Sequence, residues 1–315
     1  MEFAETLPKQ IGNVKLNYEF YPGEDIYSDG AIEDEILEIT KNAARIEYPK
    51  IIEEKNSWPV LYHLSALRGN IVDWLPITKD MKVLEIGSGC GPITGVLARK
   101  AKSVTCIDLS KMRSTINAYR NRECDNVKIM VGNFQDVESS LTEKYDYITL
   151  IGVFEYSQGY IGTAQPYVEM LRRIARHLAP GGRIVIAIEN RLGLKYWAGC
   201  TEDHVGKYFE GLENYPDTRS VRTFSRKELS DIIDQAGEFK TTFYYPYPDY
   251  KFPMTIYSDK RLPKKGELRD NFCNFDRNRI QLFNEGKVYD SLTDAGLFQE
   301  FSNSFLVIVE RKENK

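Results

Sequence analysis

The sequence predicts an α/β fold built on a doubly wound parallel sheet, and three observations carry that prediction. From Met81 onward, short β-branched runs alternate with helical patterns. The runs are continuously apolar, which suits strands covered by helices on both faces. Strand–helix alternation of this kind marks parallel βαβ units. The chain has 315 residues, 42% of them hydrophobic, so it can bury a sizeable core.

Taken in order, residues 1–80 read as an N-terminal helical cap and 81–315 as the main domain. In the cap, Ile32, Ile36, Ile39, Ala43 and Ile46 recur at helical spacing, with Asp29 as candidate cap and Pro49 beyond the end. A second helical stretch, Pro59 to Leu75, is apolar on most sides yet carries His63, Arg68 and Asn70, as a helix buried against a site would. The main domain's strands are expected at KVLEI (82–86), SVTCID (103–108), VKIMVG (127–132), YDYITLI (145–151) and RIVIAIE (183–189). Two more follow, FKTTFYY (239–245) and SFLVIVER (304–311). Helices fall near 92–101, 111–121, 164–178 and 226–236, with a shorter one between 134 and 142; Ser225 and Glu228 stand at capping-box spacing for the last of the long ones. Segments 191–222 and 246–300 are too long for ordinary connections and are rich in Tyr, Gly, Pro and charge. They are expected as two insertions over the active site, at the carboxyl ends of the strands. Pro246, Pro248 and Pro253 argue for a stiff loop after the sixth strand.

Charge and cysteine content narrow the function classes. Lys and Arg number 42 against 46 Asp and Glu, a formal charge of -4, which gives no overall drive toward nucleic acid or anionic membrane. The average hides an acidic first 60 residues, with 13 acidic and 6 basic side chains, and a basic 258–287, with 8 basic and 5 acidic. Cys90, Cys106, Cys124, Cys200 and Cys273 are odd in number and never spaced as C-x-x-C, so neither a disulfide framework nor a thiolate metal site is expected, and no metal is assigned. No stretch of about 18 apolar residues and no basic-then-apolar N-terminus is present. A cytoplasmic protein is expected. Twenty tyrosines leave an aromatic excess that wants hydrogen-bond partners or a wet cleft.

The first strand runs into Glu85-Ile86-Gly87-Ser88-Gly89-Cys90-Gly91. Glycines there let a ligand lie against the main chain above a helix start. The dinucleotide pattern G-x-G-x-x-G fails because its third glycine position holds Pro92. Twenty-one residues after Gly87, Asp108 could accept both hydroxyls of a ribose, or could cap the helix that follows. The third strand ends at Gly132-Asn133-Phe134, offering an amide for a purine edge and a ring for its face, although Phe134 could equally be core. LAPGG (178–182) precedes the fifth strand.

In this glycine motif, ribose acid and PGG segment, the sequence resembles the class I S-adenosylmethionine-dependent methyltransferases over residues 81–190, 223–245 and 304–311. The resemblance implies a Rossmann-like seven-stranded sheet with its last strand antiparallel. It implies S-adenosyl-L-methionine as cofactor and S-adenosyl-L-homocysteine as product. By the same carry-over Glu85, Gly87, Ser88, Gly89 and Gly91 surround the methionine part, Asp108 and Leu109 the ribose, and Asn133 and Phe134 the adenine, with Ile151 counted among the cofactor residues. Asn133 stands where the family often has Asp. Arg68 could clamp a carboxylate of cofactor or substrate. An NAD-dependent oxidoreductase would share the sheet and the acid after the second strand, but Pro92 and PGG count against it; a non-catalytic relative would predict a damaged loop, and this one is intact.

WPVLYHLSALRGNIVDWLP, NRLGLKYWAGCTEDH and YYPYPDYKFPMTIYSDKRLP further resemble a bacterial subgroup acting in lanthipeptide clusters, as C-terminal carboxyl O-methyltransferases, and beside glycosyltransferases of surface-polysaccharide synthesis. The resemblance favours a peptide C-terminal carboxylate as methyl acceptor and a glycan hydroxyl as the alternative, with neither nucleic acid nor membrane as partner. A carboxylate is already ionised at neutral pH, whereas a hydroxyl needs a general base. Of three histidines, His204 in the first insertion and His63 in the cap are site candidates, while His177 reads as exposed. His204 and Tyr244 are the catalytic candidates; His63, Tyr208 and Tyr245 are the substrate-binding ones.

Overall fold

The computed structural model describes residues 7–25, 30–269 and 279–312. The chain divides into two compact units, Met1–Thr149 and Leu150–Lys315.

The first unit holds β1 (Gln10–Ile11), β2 (Val14–Phe20), β3 (Lys82–Ile86), β4 (Ser103–Asp108) and β5 (Val127–Gly132), ordered β1-β2-β5-β4-β3. Strands β3, β4 and β5 run parallel, linked by helices Thr94–Lys100 and Lys111–Arg120. This is the first half of a doubly wound sheet. Strand β2 extends it in parallel beside β5, and β1 folds back antiparallel on β2. The cap is therefore not purely helical. Its missed strand, VKLNYEF, is polar and only partly covered, so it lacks the apolar run that marks the inner strands. Helix Ala31–Asn42 stops before Ala43, and Ile46 is 87% exposed; the candidate cap Asp29 lies outside the described residues. Ile36 packs with Tyr48, Val60, Leu64, Cys90 and Ile116. Burying such a side chain contributes about 1.5–3 kcal/mol. The stretch expected as one helix from 59 to 75 breaks into Trp58–Leu64, a 3-10 turn Ala66–Gly69 and Asn70–Asp73. Ser65 makes the break: its backbone is extended and its Oγ accepts the Leu67 N–H at 3.2 Å.

Strand β6 (Tyr145–Ile151) crosses the boundary between the units. The second unit holds β7 (Leu178–Glu189), β8 (Phe239–Tyr247), β9 (Thr255–Ser258) and β10 (Ser304–Arg311), ordered β7-β10-β8-β9 and antiparallel at each pairing. The last strand is thus antiparallel, as expected, but the described residues contain ten strands and not seven; the additions are β1, β2 and β9. Strand β8 also continues through Pro246, against expectation. Its pairing with β10 ends at Tyr244, so Pro246 has β9 alone as a neighbour, where a missing N–H is tolerated. Ser225 and Glu228 close the capping box of helix Arg226–Ala236. His177 is buried, not exposed. Among the described residues no helix is long and apolar enough to cross a membrane.

Candidate active site

The glycine turn after β3 is shaped by its backbone. Gly87, Gly89 and Gly91 have φ of 69°, 51° and 73°, the left-handed region that other residues enter at a cost. A Cβ at Gly91 would run into Asn117 Oδ1 on helix Lys111–Arg120, so this glycine admits the helix. A Cβ at Gly89 would meet nothing within 4 Å. The Gly89 N–H donates to Asp108 Oδ2 at 2.7 Å, and Ser110 N–H donates to Oδ1 at 3.0 Å. Asp108 thus braces the turn as well as the next helix, each oxygen retaining a lone pair. Ser88 Oγ is buried and meets no hydrogen-bond partner among the described residues. Beneath the turn, Thr94 Oγ1 donates to Glu85 Oε2 at 2.6 Å, and burial pushes the Glu85 carboxyl up to about 7. Burial likewise pushes the Cys90 thiol up to about 12, which makes it inert as a nucleophile.

Around this turn, Asn133 Oδ1 caps helix Phe134–Val137 by accepting the Gln135 N–H at 3.1 Å, Phe134 is buried, and Leu109 is half-buried. Arg68 is buried, its guanidinium 4.2 Å from the Tyr62 ring centre and donating to the Tyr62 hydroxyl at 3.1 Å. His63 is buried too; desolvation and the positive Arg113, Arg68 and Arg120 push its imidazole down to about 3.

The second unit contains a buried cluster of charge. Glu189 closes β7, and Glu155 follows the end of β6, where Gly152 donates its N–H to Ala187 O at 2.9 Å. Lys251 Nζ lies 2.6 Å from Glu189 Oε1 and 2.8 Å from Asp203 Oδ1; Lys195 Nζ lies 2.8 Å from Asp203 Oδ2 and 3.7 Å from Asp249 Oδ2. His204 Nε2 is 3.3 Å from Glu189 Oε2 and 4.0 Å from Glu155 Oε1, while His204 Nδ1 is 2.9 Å from the Tyr156 hydroxyl. Glu202 accepts the N–H groups of His204 and Val205 and the Tyr215 hydroxyl, which fixes the loop carrying the imidazole. Burial works against a charged imidazole here, but Glu189 outweighs it and raises His204 to about 9. Although burial opposes ionisation of Glu189, Lys251 and His204 hold it well below the usual carboxylate range. Glu155 differs: its side chain is wholly buried, neither oxygen meets a hydrogen-bond donor among the described residues, and burial pushes its carboxyl up.

The other tyrosine candidates sit apart in character. Tyr244 is half-buried on β8 opposite Ser258. Tyr245 is fully buried, donating its hydroxyl to Asp259 Oδ1 at 2.5 Å and accepting from Arg226 Nε at 3.1 Å. Tyr208 is 51% exposed beside Phe209, and Ile151 closes β6 almost fully buried.

The profile of the methyltransferase domain family matches residues 62–238, more than half of the chain. The chain belongs to this methyltransferase family. An uncharacterized methyltransferase of Staphylococcus carnosus is 26% identical over 167 residues, 52% of this chain and 72% of that protein. The ubiquinone biosynthesis O-methyltransferase of Pseudomonas savastanoi pv. phaseolicola is 23% identical over 140 residues, 44% of this chain and 57% of that enzyme. Among solved structures, Haemonchus contortus phosphoethanolamine N-methyltransferase 1, in complex with phosphoethanolamine and S-adenosylhomocysteine, aligns with a TM-score of 0.48 at 14% identity, covering 88% of this chain and 50% of that one.

The methyltransferase's cofactor is S-adenosyl-L-methionine. The turn fits it: Gly89 leaves its surroundings open, and the buried Ser88 hydroxyl has no hydrogen-bond partner among the described residues. Family membership also sets the NAD reading aside. What sequence reasoning missed in this methyltransferase is the company of His204. Glu155, Glu189 and Lys251 are charged residues inside apolar or aromatic runs, GVFEY, RIVIAIE and DYKFP, and that incongruity was the available signal.

Proposed function

We propose that the chain is an O-methyltransferase acting on a hydroxyl of a glycan-type acceptor, with Glu155 as the group that takes the hydroxyl proton. The carrying observation is Glu155 itself, a buried carboxylate whose two oxygens meet no hydrogen-bond donor among the described residues. In doubly wound folds ligands bind outside the carboxyl ends of the strands, and Glu155 and Glu189 stand at the ends of β6 and β7. The cofactor supplies an electrophilic methyl group on a sulfonium. Gly87, Ser88, Gly89 and Gly91 hold its methionine part, Asp108 and Leu109 its ribose, and Asn133 and Phe134 its adenine; Glu85 supports the turn from below through Thr94. His204, held by Tyr156 at Nδ1 and facing Glu189 through Nε2, fixes the carboxylates beside Glu155, and the exposed Tyr208 offers a face for a sugar ring.

The competing acceptor is a peptide C-terminal carboxylate, the product then being a methyl ester. Such an anion needs no proton acceptor, which would leave the buried Glu155 without a role. The test is to incubate the chain with S-adenosylmethionine and matched glycan and peptide acceptors, then treat the products with mild alkali. A methyl ether survives and a methyl ester is cleaved. An alkali-stable methyl group, lost with Glu155→Gln, is expected; an alkali-labile one that persists in Glu155→Gln overturns the reading.

A further inference from the structure

We infer that Glu155, Glu189 and His204 form a binding site for a first-row divalent metal ion. The inference deepens the proposed function for the same cluster, but it stands on geometry and its test reads binding, not turnover. One donor atom from each of the three residues lies within 4.8 Å of the other two. Donors bound at about 2.0–2.2 Å around one tetrahedral ion stand about 3.5 Å apart. His204 Nε2 is 3.3 Å from Glu189 Oε2 and 4.0 Å from Glu155 Oε1, so the His204–Glu189 edge already has the spacing of two ligands and a shift of the Glu155 side chain toward the ion completes the face.

Glu155 is the second, independent observation. Its side chain is 0% exposed and, among the described residues, neither oxygen has a hydrogen-bond partner, His204 Nε2 standing 4.0 Å away. A buried carboxylate without a hydrogen-bond donor is costly. The two nearby lysines are engaged with Glu189, Asp203 and Asp249, and Glu202 is met by two backbone N–H groups and Tyr215. A cation among these three residues gives Glu155 its missing partner.

The surroundings are those of a ligating imidazole. Tyr156 holds His204 Nδ1 at 2.9 Å, which fixes the ring so that Nε2 faces the carboxylates. Lys251 takes Glu189 Oε1 at 2.6 Å and leaves Oε2 for the ion. Two carboxylates with one imidazole suit zinc, manganese, iron or cobalt better than calcium, which takes oxygen donors alone. One Glu155 oxygen suffices as ligand, and the other stays available for a proton.

The experiment is calorimetric titration of the chelator-dialysed full chain with MnCl2 and, separately, ZnCl2. One site per chain is expected, weakened tenfold or more by Glu155→Gln and by His204→Ala, with thermal unfolding confirming that each variant folds. Absence of binding, or equal affinity in both variants, overturns the inference. Should either variant fail to fold, Mn2+ broadening of histidine ring NMR signals in the unaltered chain decides. Broadening of His204 before His63 and His177 is expected, and the reverse order overturns it. An intact metal site with an alkali-labile product would overturn the glycan-hydroxyl reading alone.

Discussion

The glycine turn after β3 and the buried charge cluster around Glu189 are opposite kinds of site. The turn is made by contiguous residues, 85–91, completed by Asp108, and its working parts are backbone: three left-handed glycines and two N–H groups on a carboxylate. The cluster is made by side chains from four separated segments, 155–156, 189, 195–204 and 249–251, and its working parts are charges removed from water. A backbone site tolerates side-chain change but not loss of a dihedral. A charge site tolerates backbone change but not loss of a partner, because desolvation of the remaining charge is then uncompensated.

The comparison breaks most readily at Lys251. Lys251→Met removes one of the two cations that meet each of Glu189 and Asp203, and breaking a buried pair costs up to about 3–5 kcal/mol, less what His204 and Lys195 still compensate. Urea unfolding should register that loss; a change below about 1 kcal/mol would mean that water reaches the cluster freely. Within the turn the contrast is between neighbours. Gly91→Ala combines left-handed strain of about 1–2 kcal/mol with overpacking against Asn117 of a further 1–3 kcal/mol. Gly89→Ala meets no neighbour and carries the strain alone, so its main effect should fall on the dissociation constant for S-adenosylmethionine. Equal destabilisation of the two variants would remove the distinction between a packing glycine and a ligand-facing one.

The same contrast explains what was legible in the sequence. The inner strands, the glycine motif, Asp108 and the capping box at Ser225 are local patterns, and residue types at fixed spacing specify them. Strand β2 was not legible because a partly covered strand alternates weakly, and β8 outran its expected end because edge pairing forgives Pro246. His204 could be singled out as one of three histidines, but not its partners, since contacts between residues 15 or 48 positions apart in sequence exist only once the chain has folded. Tyr245, named as a substrate-binding candidate, has its hydroxyl bonded to Asp259 and Arg226, partners that sequence distance concealed.

The smallest effect sharpens the comparison furthest, because His63 in the first unit and His204 in the second are shifted in opposite directions by their surroundings. In the second unit carboxylates raise His204 to about 9; in the first, burial and three arginines lower His63 to about 3. A histidine whose folded pKa is depressed stays neutral in the fold while the unfolded chain takes up a proton below about 6.5. The unfolded state then binds more protons, so stability is complete above that pH and falls as the medium is acidified toward 3. Between about pH 7.5 and 5.5 the loss attributable to one such group is about 1 kcal/mol. His63→Gln removes it. Unfolding free energies of the parent and of His63→Gln, measured at both pH values, should therefore differ by about 1 kcal/mol less at the acid end, other titrating groups such as Glu85 cancelling between the two proteins. A difference that stays constant with pH would mean that His63 takes up its proton in the fold as readily as in the unfolded chain. The arginines around it would then be screened by water, and the first unit would not be the dry, backbone-ruled half of this comparison.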